Sequence, residues 1–424
     1  MKRGFLNSSK VKKQRLYAQN ESKPASTEYF KDIEGLPKLA YGRVEDTSLP
    51  SDYDASWKPE SMSSDASKTH YGEEVVGTTT IPPRFLDGPP DPDGHSEWLF
   101  WGPTKVKVVG LPGYPRPIPK PTHPNMCVVR STPDKGLGVF ATRDIKVGEL
   151  IFSERPLLVV PTGIRAMSPI PKHYSQEKKL QIAMFQQEKS VEPAVDRMDE
   201  AQKKAFMALA NSHKEDGSGP LYGIIRTNGI GLGNLGDGPK PPAGQYYPPQ
   251  FMYTAICELG SRINHSCMPN VKFSFKLSSF SLQSSASKDI KAGEELFYSY
   301  CPVLQTAADR RKDLAPYGFE CKCPACLHAT PATDKLRAEF LDRIRRVVQA
   351  WSEKCKSPVH DITMLDPLLE LQKDVTREGL DSQGQYPFLT EVIATAYMSL
   401  GMVGQAQRYQ EVKHRWDSMA KDED

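Results

Sequence analysis

Arg262-Ile263-Asn264-His265-Ser266-Cys267-Met268-Pro269-Asn270 is the stretch on which the reading of this chain turns. On its own an Asn-His pair is ordinarily a satisfied polar turn. Its weight comes from three further elements at distant positions. Upstream, Lys135-Gly136-Leu137-Gly138-Val139-Phe140 places two glycines in a tight loop that lets backbone approach a ligand closely. Downstream, Gly293-Glu294-Glu295-Leu296-Phe297-Tyr298-Ser299-Tyr300 ends on two tyrosines that alternate with a serine, so in a strand they share one face. Then Tyr317-Gly318-Phe319-Glu320-Cys321-Lys322-Cys323-Pro324-Ala325-Cys326 brings three thiols into six residues.

A chain of 424 residues can hold two or three domains with real cores. The net charge of +3 implies no strong polyanion field, so DNA or RNA is not expected as a direct partner. The most hydrophobic stretches are short and interrupted by charge or proline, against the roughly 20 apolar residues of a membrane span. Met1-Lys2-Arg3 is not followed by the long apolar run of a secretory signal. Eight cysteines, clustered rather than laddered, read as metal binding in a reducing compartment. An intracellular protein of the nucleus, the cytoplasm or both is expected, and it is expected to be a monomer.

Residues 1–95 are rich in Ser, Pro, Asp, Lys and Gly and are expected to form a disordered tail. Within them, Lys10-Val11-Lys12-Lys13-Gln14-Arg15 is either an import signal or a solvated basic run. Residues 96–126 form a lead-in. In it Trp98-Leu99-Phe100-Trp101 is expected to dock on a folded surface, and the prolines from Pro112 to Pro124 to run as extended polyproline. Short strands follow from Cys127, at 127–130, 137–141, 149–153 and 157–160, separated by Gly, Pro and Asp turns. Leu180, Met184 and Val191, then Met198, Ala205, Phe206 and Leu209, recur at helical spacing and mark an insertion over about 165–222. A glycine-rich loop from Asn228 to Gly244 leads to an apolar segment around 251–259, and strands resume at 271–275, 280–282 and 295–298. Beyond Cys326 the chain reads as helical. Leu336, Phe340, Ile344, Val347 and Trp351 share one face; Phe388, Val392, Ala396 and Leu400 share another. Ala406, Tyr409, Val412 and Trp416 form a third after Gly401, so the last two helices make a hairpin like a single tetratricopeptide unit.

Cys321, Cys323 and Cys326 supply three thiolates where zinc wants four tetrahedral ligands. Cys301 and Cys355 are the nearest further thiols in sequence, and His328 is a possible substitute.

Taken in order, the four elements resemble the SET-domain protein lysine methyltransferases, over about residues 127–328 and closest to the SET-and-MYND branch. The resemblance implies an α+β fold: a β-rich SET domain at 127–300 with a threaded, pseudoknot-like segment and a helical insertion. A post-SET zinc segment at 301–328 and a helical region at 329–424 would follow. It implies S-adenosylmethionine as cofactor and a protein with an accessible lysine as substrate. Tyr300 matches the tyrosine whose hydroxyl orients the amine, and Tyr298 a channel residue that influences how many methyl groups are added. Lys135, Gly136, Leu137 and Gly138 match the backbone that meets the methionine part of the cofactor. Asn264 matches a ligand of its charged end, His265 a residue at the adenine end, and Phe319 the aromatic that stacks on adenine. Asn228, in Thr227-Asn228-Gly229-Ile230, matches a cofactor-binding asparagine of the same branch. The fourth zinc ligand implied by the family is Cys267, which closes a structural site with Cys321, Cys323 and Cys326. No cysteine lies between Leu157 and Asn228, so the MYND finger and its partner recruitment are not carried over.

Two functions of different class follow. One is a methyltransferase acting on a histone or another protein. The other is a SET-like scaffold without activity, an interaction module in chromatin regulation. Retention of Asn264, His265, Tyr300 and Phe319 favours the enzyme. A zinc hydrolase fails, because the cysteine site is closed and no open His/Glu site is evident.

Overall fold

The computed structural model describes residues 49–59, 76–84, 91–102, 104–163, 166–233, 235, 252–356 and 361–421. The basic cluster at 10–15 and most of the glycine-rich loop lie outside the described residues. In chain order the strands and helices are β1 (Val76–Ile81), β2 (Ser96–Trp101), α1 (Thr104–Val109), β3 (Cys127–Ser131), β4 (Leu137–Ala141), β5 (Leu150–Glu154) and β6 (Leu158–Pro161). Helices α2 (Gln176–Asp196), α3 (Glu200–Met207) and α4 (Pro220–Asn228) come next. Five more short strands then run through β7 (Ile230–Leu232), β8 (Tyr253–Ile256), β9 (Asn264–His265), β10 (Val271–Lys276) and β11 (Ser281–Ala286). After β12 (Phe297–Tyr298) the chain is helical: α5 (Ala307–Leu314), α6 (Pro324–Leu327), α7 (Pro331–Ala338), α8 (Phe340–Lys354), α9 (Asp366–Arg377), α10 (Tyr386–Ser399) and α11 (Val403–Lys421). No described helix is long and apolar enough to cross a membrane.

The largest sheet has the order β1-β2-β6-β8-β7, with only the β2–β6 neighbours parallel. Both of its faces are covered. Leu99, Leu158 and Val160 point into one core with Leu180, Met184, Val191 and Phe206 of the inserted helices. Trp98, Phe100 and Val159 point into another with Phe275, Phe280 and Leu282. This corrects two expectations. Trp98-Leu99-Phe100-Trp101 is not a patch docked on a surface; it is a strand inside the sheet, and it reads as a continuous apolar run because both faces are buried. Residues 76–81, inside the stretch expected to be disordered, form the edge strand paired with it. The signal was weak because Val76-Gly77-Thr78-Thr79-Thr80-Ile81 is half threonine, which favours strands by β-branching but looks polar. The Thr80 hydroxyl donates to the fully buried Glu97 carboxylate at 3.0 Å, and Arg197 pairs with that carboxylate at 3.0 Å.

A second sheet, β10-β11-β5, is antiparallel, and β3–β4 is a separate antiparallel pair. A third core lies between them, holding Val139, Ile151, Ile263, Val271, Ile290 and Leu296. In the C-terminal helices Leu336, Phe340, Ile344, Val392 and Ala396 are buried in one core, with Val347, Trp351 and Leu400 against it. Phe388 does not join them and is exposed. The last helix divides its apolar face. Tyr409 stacks on Tyr397 with ring centroids 5.7 Å apart, whereas Val412 and Trp416 pack on Val147. Gly148, at φ +87°, lets the helix come so close that a Cβ there would lie 2.7 Å from the Arg415 carbonyl oxygen. The helical region is thereby seated against the strands that carry the candidate site.

Candidate active site and cysteine cluster

The quoted polar stretch enters the fold as β9, the parallel partner of β12, with Asn264 opposite Phe297 and His265 opposite Tyr298. Residues more than thirty apart in sequence are thereby joined. Asn270 fastens the junction: its Nδ2 donates to the Glu295 carbonyl at 2.9 Å and its Oδ1 accepts from the Phe297 amide at 2.6 Å. The amides of Ser266 and Asn270 donate to the carbonyls of Tyr298 and Phe297, each at 3.0 Å. A polar run is stable here because its buried groups find partners in the neighbouring segment.

Beside this junction opens a cleft lined by Asn228, Ile263, Phe273, Tyr298, Tyr300 and Tyr317 among others. The rings crowd together: Tyr300 lies 4.9 Å from Tyr317, and Tyr298 lies 4.7 Å from Phe273, centroid to centroid. The two tyrosines that alternate with Ser299 do face one cleft. The Tyr300 hydroxyl donates to the Ile263 carbonyl at 2.7 Å. Burial raises the phenol well above its ordinary value, with Tyr317 and Glu295 adding to the effect. It stays protonated at neutral pH, a fixed dipole rather than a base.

Asn228 lines the cleft, but its Nδ2 is committed to the carbonyls of Ala210 and Ile224 at 2.6 and 2.7 Å. Only its Oδ1 and backbone can serve a ligand. Asn264 is fixed in a similar way. Its Nδ2 donates to the Leu137 carbonyl at 3.0 Å and to Glu295 Oε1 at 2.8 Å. Both neighbours are acceptors, so the amide orientation is determined and Oδ1 is left to accept from a ligand. Glu295 also takes the Lys135 ammonium on its other oxygen at 3.0 Å. Gly138 packs against this clamp: a Cβ there would sit 2.6 Å from Glu295 Oε1 and 3.0 Å from Asn264 Nδ2. Gly136, at φ +72°, makes the preceding turn and has no atom within 4 Å of a built Cβ.

His265 joins the cleft to the cysteines. Its Nδ1 accepts from the Tyr300 amide at 2.9 Å, which places the ring proton on Nε2, 3.3 Å from Cys267 Sγ. Burial pushes the imidazole down to about 4, so the ring is neutral. Cys267, Cys321, Cys323 and Cys326 lie with their sulfurs all within 4.8 Å of one another. Tetrahedral zinc with bonds of about 2.3 Å would hold sulfurs about 3.8 Å apart, so the four thiols fit that ion. Of the open alternatives, Cys301 lies near Cys267 and His265 in a second group, while neither Cys355 nor His328 belongs to either group. Phe319 is exposed at one edge, 6.0 Å from the His265 ring and 6.4 Å from Tyr300.

Three of the sequence-selected residues, Asn228, Tyr298 and Tyr300, line the cleft directly. Lys135, Gly138 and Asn264 form a clamp next to it, and His265 and Phe319 stand between it and the cysteines. The sequence reading passed over Glu295, Asn270 and Tyr317. Glu295 and Tyr317 sit inside motifs already quoted, and Asn270 ends the first of them; each is a partner of a selected residue, which only the fold reveals.

Against known families, residues 136–301 match the SET domain. Among curated proteins, the histone-lysine N-methyltransferase set5 of Schizosaccharomyces pombe is 30% identical over 195 residues, 46% of this chain and 48% of that protein. A putative SET domain-containing protein of Acanthamoeba polyphaga mimivirus is 27% identical over 220 residues, 50% of this chain and 80% of that one. The protein-lysine N-trimethyltransferase SMYD5 of Mus musculus is 44% identical over 73 residues, 16% of this chain and 18% of that one. The chain thus spans about half the length of the set5 protein it matches.

Proposed function

We propose that this chain, whose residues 136–301 form a SET domain, is an S-adenosylmethionine-dependent protein lysine N-methyltransferase. The observation that carries the reading is the β9–β12 junction, which sets the Asn264 clamp, the His265 ring and the Tyr300 hydroxyl around one aromatic cleft. The donor set suits the cofactor: the Asn264 Oδ1 can accept from an ammonium, and aromatic faces attract a cation. S-adenosylmethionine, when bound, supplies a methyl carbon on a sulfonium.

The residues of the cleft then have three tasks. Tyr298, Tyr300, Tyr317 and Phe273 wrap the aliphatic stem of a lysine and exclude water. A lysine amine has a pKa of about 10.4 in water, and desolvation favours its neutral, nucleophilic form. Tyr300, held by Ile263, fixes the direction from which the amine approaches, which is where orientation lowers the barrier. Cys267, Cys321, Cys323 and Cys326 would hold a structural zinc, pinning the segment that carries Phe319 beside His265. Zinc there supplies a crosslink and no chemistry.

The substrate would be a histone or another protein in the nucleus or cytoplasm. Residues 127–300 would serve as the catalytic unit, 301–328 as the metal segment and 329–424 as its helical support. Calorimetric titration with S-adenosylhomocysteine tests the reading: saturable binding at one site per chain is expected. No binding to folded, metal-replete protein would leave the scaffold reading in its place.

A further inference from the structure

Arg310, on α5, is fully buried beneath the cysteine cluster. Its Nη1 donates to the Gln305 carbonyl and its Nη2 to the Ala325 carbonyl at 3.2 Å, and the same Nη2 lies 3.9 Å from Cys326 Sγ. Its Nε has no partner. Among the described residues no carboxylate pairs with it, although its neighbour Arg311 pairs with Glu320 at 3.3 Å. A second buried arginine offers the contrast. Arg337 donates to the Cys267 carbonyl at 3.4 Å and to the Val303 carbonyl at 3.0 Å, and its charge is met by Glu378 at 3.2 Å.

A buried guanidinium without an anion is one of the most costly arrangements in a protein interior. Neutral thiols or a disulfide would not supply the anion. Four thiolates around zinc would, since that centre carries a net charge of about −2. The position of Arg310 therefore follows if the sulfurs are deprotonated together around a cation.

We propose that Arg310 is the internal counter-cation of the four-cysteine metal centre, retaining the metal by offsetting thiolate charge without ligating it. The inference rests on the zinc reading of the cluster and not on methyl transfer. Partners of this kind, outside the ligand set, commonly change metal affinity by about 10- to 100-fold when removed.

The test compares wild type, Arg310→Gln and Arg310→Lys, purified with zinc and challenged with a chromogenic chelator. Zinc release from Arg310→Gln is expected to be at least about tenfold faster than from wild type. Arg310→Lys, which keeps the charge but not the fork that grips two carbonyls, should stay near the wild-type rate. Cobalt(II)-loaded protein gives a second readout that folding alone does not move: without the cation, the sulfur-to-cobalt charge-transfer band of Arg310→Gln should shift to lower energy. Equal release rates and an unmoved band in Arg310→Gln would overturn the proposal. So would Arg310→Lys failing as badly as Arg310→Gln, which would make the residue a backbone clasp. Wild-type protein without zinc would remove the centre itself, whatever the methyl-transfer assay shows.

Discussion

Replacing Asn264 by alanine cuts the clamp at its centre, and the structure sets the size of the effect. Two hydrogen bonds vanish, one to the neutral Leu137 carbonyl at 3.0 Å and one to the Glu295 carboxylate at 2.8 Å. A neutral bond contributes about 1 kcal/mol and one to a charged group about 1.5–3. Asn264 is half-buried, so the sum is discounted to about 2 kcal/mol of stability, or roughly 4–8 °C in Tm for a domain of this size. Ligand binding should fall separately, because Oδ1 is the atom left for the cofactor's ammonium. Losing that contact predicts about 10- to 100-fold weaker binding of S-adenosylhomocysteine. Calorimetric titration and thermal denaturation of the same preparation read the two effects independently. Asn264→Asp sharpens the test, since it keeps an acceptor oxygen but sets a second carboxylate against Glu295, and should cost more stability than alanine. An Asn264→Ala protein that binds S-adenosylhomocysteine as wild type does would refute the assignment, however far its Tm had dropped.

Three other perturbations separate the parts of the site. Tyr300→Phe removes the hydroxyl held by Ile263 while keeping the ring in the cleft, so turnover should collapse and S-adenosylhomocysteine affinity should change little. Cys267→Ala removes the proposed ligand that would join the three-cysteine segment to the stretch just after β9; elemental analysis should find zinc lost or sharply reduced, and proteolysis should cut sooner after Cys301. Glu154 is fully buried and accepts from the amides of Leu259 and Gly260 at 3.0 and 2.7 Å, and burial lifts its carboxyl to about 7. A carboxyl whose folded pKa is raised stabilises the fold below its unfolded value of about 4.5 and loses that contribution as pH rises through about 7. Wild-type Tm should therefore carry a downward slope across that window, and Glu154→Gln should flatten it.

The sequence marked out the candidate site more fully than the architecture. Candidates marked by a fixed local spacing were legible: the two glycines of 136–138, the alternating tyrosines, and the cysteine triplet. Strands β3 to β6 were placed within a residue or two, because turn residues bound them on each side. What stayed hidden depended on partners far away. Trp98-Leu99-Phe100-Trp101 looked like a docking patch, since nothing local reveals that helices cover one face and β10–β11 the other. Phe388 fitted a helical stripe and yet is exposed, because that stripe marks the face of the helix without fixing where the partner helices end. Asn264 was legible as a candidate for binding a ligand. That its amide nitrogen is already spent on Leu137 and Glu295, leaving Oδ1 as the side-chain atom open to a ligand, required the fold.

The most direct measurement is methyl transfer itself. Metal-replete protein and its Tyr300→Phe variant, incubated with S-adenosylmethionine and with core histones or a cell-derived protein mixture, are compared by mass spectrometry of lysine-containing peptides. Wild type should add about 14 Da, the mass of one CH₂, or a whole multiple of it, to particular lysines, and Tyr300→Phe, whose cofactor binding is retained, should lose nearly all of this gain. Wild type and variant leaving the same lysines equally modified, or equally untouched while both bind cofactor, would contradict it.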